Sequence, residues 1–404
     1  MEREELGCWL RLTLTPGVGN ETARKLLAAF GLPDAVFSQP LTALRQVVSA
    51  TQAAHLCTEP AELAALLERT WSWLQETGND VAQRHIVVLG DADYPASLLC
   101  MEDPPLMLYL LGVGNFSSNS LKTPVTQADI AIDSIAKNLA CSIAVVGSRN
   151  PTPQGAANAR QFSKALAQAG LTVVSGLALG VDGAAHEGAL DSLEPGSHRL
   201  VTVAVVGTGL DRVYPKSHFE LAHRIAQQGL LISEYPLGTP PLAANFPKRN
   251  RLIAGLTQGT LVIEAALKSG SLITARLTAE QGKDVFAIPG SIHSPQARGC
   301  HQLIRQGAKL VETAQDVLEE LKAVFTPTES SSSPRAEATG ASLHTPDEER
   351  VLTALGAAPC DLDTLSARSG LTAAGLLAIL LPMELGGKVG QLPGGLYQRI
   401  HHTP

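Results

Sequence analysis

The 404-residue chain has few aromatic residues and no excess of positive charge. Aromatic residues make up 4% of it, and its net charge at pH 7 is −7. Proteins that coat nucleic acid through bulk positive charge are strongly basic, so the composition excludes that class. Any site for anions must therefore be a local cluster of cations.

Cysteine pairs and long apolar runs are also missing. The six cysteines include no Cys-x-x-Cys pair, a pattern that signals neither a zinc site nor a disulfide framework. No apolar run is long enough to span a membrane, and residues 1–6 contain no apolar signal core. The sequence therefore predicts a cytoplasmic protein with no metal and no membrane contact.

The usual nucleotide-binding loops do not occur. At the first predicted strand-to-helix turn the chain reads Gly147-Ser148-Arg149-Asn150, not the Gly-x-Gly-x-x-Gly that lets a dinucleotide pyrophosphate approach a helix. Arg149 places a long side chain at a position where a dinucleotide-binding fold normally has none. There is also no Gly-x-x-x-x-Gly-Lys-Ser/Thr loop. We therefore expect no bound cofactor.

Apolar β-branched runs alternate with helical stretches in the centre of the chain. The runs are residues 143–146, 172–175, 201–206, 230–233, 260–264 and 285–288. Strands buried on both faces by crossover helices have this composition. Thr152, Pro153 and Gly170 suit the cap, first position and end of the first intervening helix. The pattern predicts an α/β fold with a Rossmann-like, doubly wound parallel sheet.

Composition also divides the chain into domains. Residues 1–80 carry Ala, Leu and Glu at helical spacing, and residues 81–325 contain the predicted sheet with a polar inserted loop at 115–140. Residues 326–349 are rich in Ser, Pro, Thr and Glu, which predicts a flexible linker. Residues 350–404 suggest three short helices and a hairpin, as in a winged helix.

A Gly-x-Gly turn lies within the first domain, in the segment Thr15-Pro16-Gly17-Val18-Gly19. It resembles the turn of a helix-hairpin-helix, whose backbone amides can face a DNA phosphate. A plain turn between two packed helices explains the same residues. Both interpretations are open at this point.

Gly, Ser and basic residues follow the predicted strands, and the carboxyl ends of such strands share one edge of the sheet. The candidate nucleic-acid-binding residues are Gly147, Ser148, Arg149, Ser175, Gly176, Lys216, Phe219, Lys248, Arg249, Asn250 and Arg251. Cations of this kind can follow a polynucleotide backbone while a ring stacks on a base. Two alternatives stay open: Phe219 as a core residue, and Arg249 and Arg251 in a structural ion pair.

Ordered motifs extend over about residues 85–311. They include Gly147-Ser148-Arg149, Ser175-Gly176-Leu177-Ala178, Gly209-Leu210-Asp211, Ser233-Glu234-Tyr235-Pro236, Phe246-Pro247-Lys248-Arg249-Asn250-Arg251 and Val285-Phe286-Ala287-Ile288-Pro289-Gly290. Together they resemble the DNA processing protein A family, also called DprA or Smf. The helical domain before them and the winged helix after them fit the layout of that family.

The resemblance implies a non-catalytic protein with an extended Rossmann domain. Such a protein binds and protects single-stranded DNA and loads the RecA recombinase onto it during natural transformation. Arg149 and Lys216 would contact phosphates and Phe219 would stack on a base. Lys248 and the segment 249–251 would border the same groove.

The resemblance also implies a homodimer. His301, Ile304 and Leu310 would lie at its interface, although an ordinary core explains Ile304 and Leu310 equally well. In the winged helix, no Lys or Arg occurs between Arg368 and Lys388. A helix that reads duplex DNA normally carries cations, so we expect this domain to contact protein.

An enzyme remains the alternative function. Asp182 and His186 are four residues apart on one predicted helix, and Glu264 ends a strand. Rossmann enzymes that act as nucleoside-monophosphate phosphoribohydrolases use a Gly-Gly-x-Gly-Thr-x-x-Glu loop. The similar segment in this chain is Gln258-Gly259-Thr260-x-x-x-Glu264, which lacks the doubled glycine of that loop. We therefore favour DNA binding over nucleotide processing.

Overall fold

The computed structural model describes most of the chain. Described are residues 1–76, 82–113, 135–194, 197, 199–321, 346–355, 360–385, 388–392 and 395–399. Most of the predicted inserted loop and of the predicted linker lie outside these residues. The last part of the loop segment, Ile135–Ala140, is a helix, and a further helix starts at Pro346 within the linker segment.

Helices form the amino-terminal domain. They are α1 (Arg3–Leu14), α2 (Asn20–Phe30), α3 (Pro33–Phe37), α4 (Leu41–Leu44), α5 (Ala50–Leu56) and α6 (Leu63–Gln75). The Gly-x-Gly turn joins α1 to α2, and α5 packs on it. Gln52 Nε2 donates to Gly17 O at 2.7 Å, and His55 Nδ1 donates to Pro16 O at 2.9 Å. Through these two carbonyls, the turn is hydrogen-bonded to α5 of its own domain.

The main sheet has nine strands in the described residues. They are β1 (Gln83–Val88), β2 (Met107–Gly112), β3 (Ser142–Val146), β4 (Thr172–Ser175), β5 (Thr202–Val205), β6 (Leu230–Ser233), β7 (Gly259–Val262), β8 (Asp284–Ala287) and β9 (Lys309–Leu310). Their order is β1-β2-β6-β5-β4-β3-β7-β8-β9. Strands β3 to β9 are parallel, whereas β2 runs antiparallel to β1 and β6. The predicted α/β fold with a doubly wound parallel sheet is confirmed.

Helices cover both faces of this sheet. They are α7 (Ala96–Leu99), α8 (Ile135–Ala140), α9 (Pro153–Gln168), α10 (Val181–Leu190), α11 (Phe219–Gln228), α12 (Asn245–Leu256), α13 (Ser271–Glu280), α14 (Arg298–Arg305) and α15 (Ala314–Leu321). Helix α9 begins as the sequence predicts, because Thr152 caps it by accepting a bond from Gly155 N at 3.0 Å. Adjacent strand residues such as Val173 and Val174 belong to separate apolar clusters, one on each face.

The winding direction reverses between β3 and β7. From β3 the chain proceeds outward through β4, β5 and β6, and then returns to place β7 on the other side of β3. Loops at the carboxyl ends of β3 and β7 therefore diverge to opposite faces and leave a crevice. In open α/β sheets ligands bind at this position.

A small domain follows the sheet. It contains α16 (Pro346–Leu355), α17 (Leu362–Ser369), α18 (Ala373–Leu385), β10 (Cys360–Asp361), β11 (Val389–Leu392) and β12 (Leu396–Arg399). Its antiparallel strands have the order β10-β12-β11, so the predicted winged helix is confirmed. Leu377 and Leu381 of α18 are 47% and 61% exposed. None of the described helices is both long and apolar enough to cross a membrane.

Helices α9 and α10 pack with their backbones in close approach, and this gives a test of the core. A Cβ atom on Gly188 would lie 2.0 Å from Arg160 O. We expect Gly188→Ala to lower the free energy of unfolding by about 1–3 kcal/mol, because the two helices must separate. Urea denaturation measures this change.

Gly7→Ala is the matched control, because Gly7 also lies within a helix but a Cβ there would only touch Leu67 Cδ2 at 3.4 Å. We expect this variant to be as stable as the parent or more stable by up to about 1 kcal/mol. Equal stability of the two variants would contradict the close packing of α9 and α10.

Candidate nucleic-acid interface

A cleft of about 720 Å³ opens at the carboxyl edge of the sheet, over the point where the winding reverses. Its walls come from the turn after β3, the first turns of α12 and the loop before α13. Among its lining residues are Gly147, Ser148, Arg149, Asn150, Tyr214, Phe246, Arg249, Asn250 and Lys268. The structure thus brings five of the sequence-predicted residues into one cleft: Gly147, Ser148, Arg149, Arg249 and Asn250.

Close packing shapes the turn after β3. A Cβ atom on Gly147 would lie 2.7 Å from Val181 Cγ2, so no side chain fits there. Ser148 Oγ accepts a hydrogen bond from Asn150 N at 3.1 Å and fixes the turn between them. Arg149 is exposed, and its guanidinium carbon lies 5.9 Å from the centroid of the Phe246 ring. The arginine therefore projects into the cleft.

Two aromatic rings to which the sequence analysis gave no binding role line the same cleft. The centroids of Tyr214 and Phe246 are 5.5 Å apart, and Tyr214 is 46% exposed. In a chain with so few aromatic residues, the repeated aromatic-Pro-Lys sequence at 214–216 and 246–248 is the signal that would have identified them. Each ring is followed two residues later by an exposed lysine, Lys216 or Lys248.

Lys216 and Phe219 lie just beyond Tyr214, outside the lining of the cleft itself. Lys216 begins a 3-10 turn, Lys216–His218, which His218 attaches to the carboxyl edge by donating from Nδ1 to Leu177 O at 3.1 Å. Phe219 is 52% exposed, so the alternative that it packs in the core does not hold. Its ring rests against His223, with centroids 4.2 Å apart.

Arg249 is directed into the protein. It is 4% exposed, and its Nη1 donates to Val205 O and, at 2.6 Å, to Gly176 O. Asp182 lies beside it and accepts from Gly176 N at 3.1 Å. Burial lowers the pKa of Arg249 to about 10, and the charge of Asp182 opposes that shift. Burial likewise raises the pKa of Asp182 against the effect of Arg249.

Arg251 and the Ser175-Gly176 segment also lie below the cleft. Arg251 forms an ion pair with Glu234 and donates from Nη1 to Asp103 O at 2.5 Å. Ser175 is fully buried and donates to Val145 O at 2.7 Å. Burial raises the pKa of Glu234, and Arg251 opposes this. Arg251 therefore forms a structural ion pair, which was the alternative interpretation of this residue.

The groups considered for catalysis each have a separate structural partner. His186 Nδ1 lies 2.8 Å from Thr202 Oγ1 and not against Asp182, and burial lowers the pKa of His186 to about 3. Glu264 accepts from Thr152 N at 2.9 Å and from Thr152 Oγ1 at 2.6 Å. It thereby joins the end of β7 to the start of α9. Nowhere in the described residues do three His, Cys, Asp or Glu side chains form a group that could hold a metal ion.

The residues expected at a dimer interface lie at the far edge of the sheet. Strand β9 is its last strand, bonded to β8 on one side. Leu310 on this strand is 51% exposed, which does not match a core position. Ile304 on α14 is half-buried, and His301 Nε2 donates to Gly290 O at 2.9 Å. An exposed leucine on an edge strand is a feature that proteins usually cover.

Comparisons with known proteins identify relatives over most of the chain. A family model described as DNA recombination-mediator protein A matches residues 133–322, and a model for the DprA winged helix domain matches residues 331–395. Protein Smf of Escherichia coli (strain K12) is 36% identical over 347 residues, which cover 83% of this chain and 82% of that protein. DNA processing protein DprA of Streptococcus pneumoniae (strain ATCC BAA-255 / R6) is 43% identical over 232 residues, or 57% of this chain and 72% of that one.

A solved structure agrees with these matches. The X-ray structure of DNA processing protein A from Streptococcus pneumoniae aligns with a TM-score of 0.61 at 33% identity. The alignment covers 79% of this chain and 98% of that one. The likeness therefore extends beyond the sheet alone.

The contacts of Arg249 predict an effect on stability. In Arg249→Ala the Asp182 carboxylate would remain buried without its cation, and two strand-end carbonyls would lose their donor. We expect the free energy of unfolding to fall by about 3–5 kcal/mol in urea denaturation. Lys248→Ala, at the adjacent exposed position, should change it by less than about 0.5 kcal/mol. A stable Arg249→Ala protein would show that the buried pair is not needed for folding.

Proposed function

The chain belongs to the DNA processing protein A family, and from this premise we propose that it binds single-stranded DNA along the carboxyl edge of its sheet. One observation carries the proposal: exposed cations and exposed rings alternate on this edge of an acidic protein. Arg149, Lys216 and Lys248 are exposed there, together with Tyr214 and Phe219.

The chemistry of the edge favours a single strand over a duplex. Side-chain cations pair with phosphates, while rings stack on bases whose faces are free. In a duplex the base faces are already occupied by their neighbours. The exposed Phe219 ring, backed by His223 on one side, offers its open side to an unstacked base. Because any base has such a face, binding of this kind discriminates little between sequences.

We also infer that the bound strand is passed to a recombinase of the RecA type, as in natural transformation. The description of the matching family as a recombination mediator supports this step. Helix α18 supports a contact with protein in the winged helix domain, because its exposed residues include Leu377 and Leu381 and no basic residue. A partner with a complementary apolar surface fits such a helix better than a phosphate backbone does.

We propose a homodimer through β9 and α14. Leu310 on the edge strand and Ile304 on the adjacent helix supply apolar surface, and a two-fold axis would place each against its equivalent region in the second subunit.

In the alternative function, nucleotide processing, Glu264 and Asp182 would need to be free to act. Both accept backbone hydrogen bonds instead, so no observation favours it.

The proposed DNA contacts predict distinct effects on affinity and on its salt dependence. Arg149→Ala and Lys216→Ala should each weaken binding and reduce the slope of log affinity against log salt by about 0.7, since each removes one phosphate contact. Phe219→Ala should cost about 1–3 kcal/mol of binding with the slope unchanged, because stacking releases no counterions. Fluorescence anisotropy with single-stranded and duplex oligonucleotides over a salt series measures both quantities.

Lys164→Ala is the matched control for these variants. Lys164 is exposed on α9, 11 residues from its first residue Pro153 and hence roughly 16 Å from the carboxyl edge. Its affinity should equal that of the parent protein. Equal affinity for duplex and single strand, or binding that ignores salt, would contradict the proposal, as would turnover of a nucleoside monophosphate by the pure protein.

The proposed dimer predicts a change of mass in one variant. Leu310→Arg places a charge on the exposed edge strand, where it should separate the subunits and leave each one folded. Light scattering should give the mass of one chain, and circular dichroism should be unchanged. Leu32→Arg, at a leucine that is 62% exposed in the amino-terminal domain, should remain a dimer. A dimeric Leu310→Arg protein would place the interface elsewhere.

A further inference from the structure

A second groove lies beside the cleft, and we propose that it binds the next nucleotides of the same DNA strand. This groove has a volume of about 730 Å³ and runs between α13 and α14. We call it the α13–α14 groove. The inference rests on the proposed function, since it extends the path of a strand that already occupies the cleft.

The cleft and the α13–α14 groove share one wall. Lys268, Ser269, Gly270 and Ile273 line both of them. These residues form the loop before α13 and the first turn of that helix. Lys268 is exposed on this wall, so its ammonium group is available to a phosphate that passes from one side to the other.

The size of the cleft requires such a passage. A volume of about 720 Å³ is that of a pocket for one small molecule. An OB-fold, for comparison, accommodates about 4–16 nucleotides of single-stranded nucleic acid, far more than one such pocket encloses. A bound strand must therefore leave the cleft at both of its ends. Lys216 and Phe219 lie beyond Tyr214 for one end, and Lys268 places a cation on the rim that faces the α13–α14 groove for the other.

The lining of the α13–α14 groove suits a nucleic acid strand. Arg276 contributes an exposed cation, and Gln302 and Gln306 contribute amides that can donate to phosphate or base. Leu272 and Leu303 provide apolar surface between them. Arg276 pairs with Glu280 at 3.4 Å on an exposed helix face, and such pairs are weak enough to exchange for a phosphate. Lys283 also lines the groove, but its Nζ donates to Ala254 O at 2.8 Å and to Gly255 O at 2.9 Å.

An acidic residue also lies in the groove, and it has a lysine partner that it shares. Asp284 lines the groove and pairs with Lys309 at 2.9 Å, and Lys309 also pairs with Glu320 at 2.7 Å. The only full positive charges that face a strand there are therefore those of Lys268 and Arg276 among the described residues of the groove. Helix α14 also borders the surface proposed for the dimer. A partner subunit is therefore the competing occupant of the groove, and the experiment must distinguish it from DNA.

The test compares oligonucleotides of about 2 and about 20 nucleotides, because the shorter one is close in size to the small molecule that the cleft can enclose. Arg276→Glu should weaken binding of the long oligonucleotide by about tenfold and reduce its salt slope. Its affinity for the short one should stay within about twofold of the parent, because Arg276 does not line the cleft. Lys268→Ala should weaken binding of both, and of the longer one more.

Lys164→Glu is the matched control. It makes the same two-unit change in charge, but on a helix that borders neither the cleft nor the α13–α14 groove. It should leave both affinities unchanged. Equal effects of Arg276→Glu on the two lengths, or none on either, would overturn the second groove, as would dissociation of the dimer by this variant. If the parent protein binds neither oligonucleotide, the proposed function itself fails.

Discussion

The structure of the candidate site depends on one buried cation. The Arg249 guanidinium extends from α12 beneath the cleft and donates to the backbone at the ends of β4 and β5, through Gly176 O and Val205 O. Asp182, at the start of α10, lies beside it and binds the amide of Gly176 from the other side. Four elements therefore meet around this cation and the carboxylate near it. A buried charge is costly unless it is paired and hydrogen-bonded, so these elements can hardly separate independently.

The same pair determines which charges a ligand meets. Without Arg249, the floor of the cleft would present the Asp182 carboxylate and repel phosphate. With it the floor is close to neutral, and the exposed cations Arg149 and Lys268 act on the ligand without opposition from below. In the proposed function, this is how a chain with a net charge of −7 would form a local site for an anionic polymer. In such a site the affinity for the polymer would depend on a few contacts with exposed cations, and added salt would weaken these contacts.

The sequence was sufficient for the fold but only partly for the site. Strands β3 to β8 follow the β-branched runs, and α9 begins at its predicted cap, because local composition and capping determine both. Arg149 and Arg249 differ by burial, and neither side chain carries a local signal of that difference, since it arises only when distant strands assemble. Phe219 illustrates the opposite case: an isolated helical Phe usually packs inside, yet here the helix starts at the rim and leaves the ring in solvent. The contacts of these residues with DNA remain predictions.

The arrangement of carboxylates supports the proposal that this edge binds a ligand rather than catalyses a reaction. General acids and bases must be within reach of a substrate and have a proton to exchange. Asp182 is occupied by backbone amides, and Glu264 is bonded to both the backbone and the side chain of Thr152. His186 is fully buried and kept neutral by its surroundings, and its Nδ1 is bonded to Thr202. The Rossmann-like framework thus uses its acidic groups to hold loops in place, and it leaves cations and rings for the ligand. A groove built in this way fits the proposed function, in which a strand is held and then released unchanged to another protein.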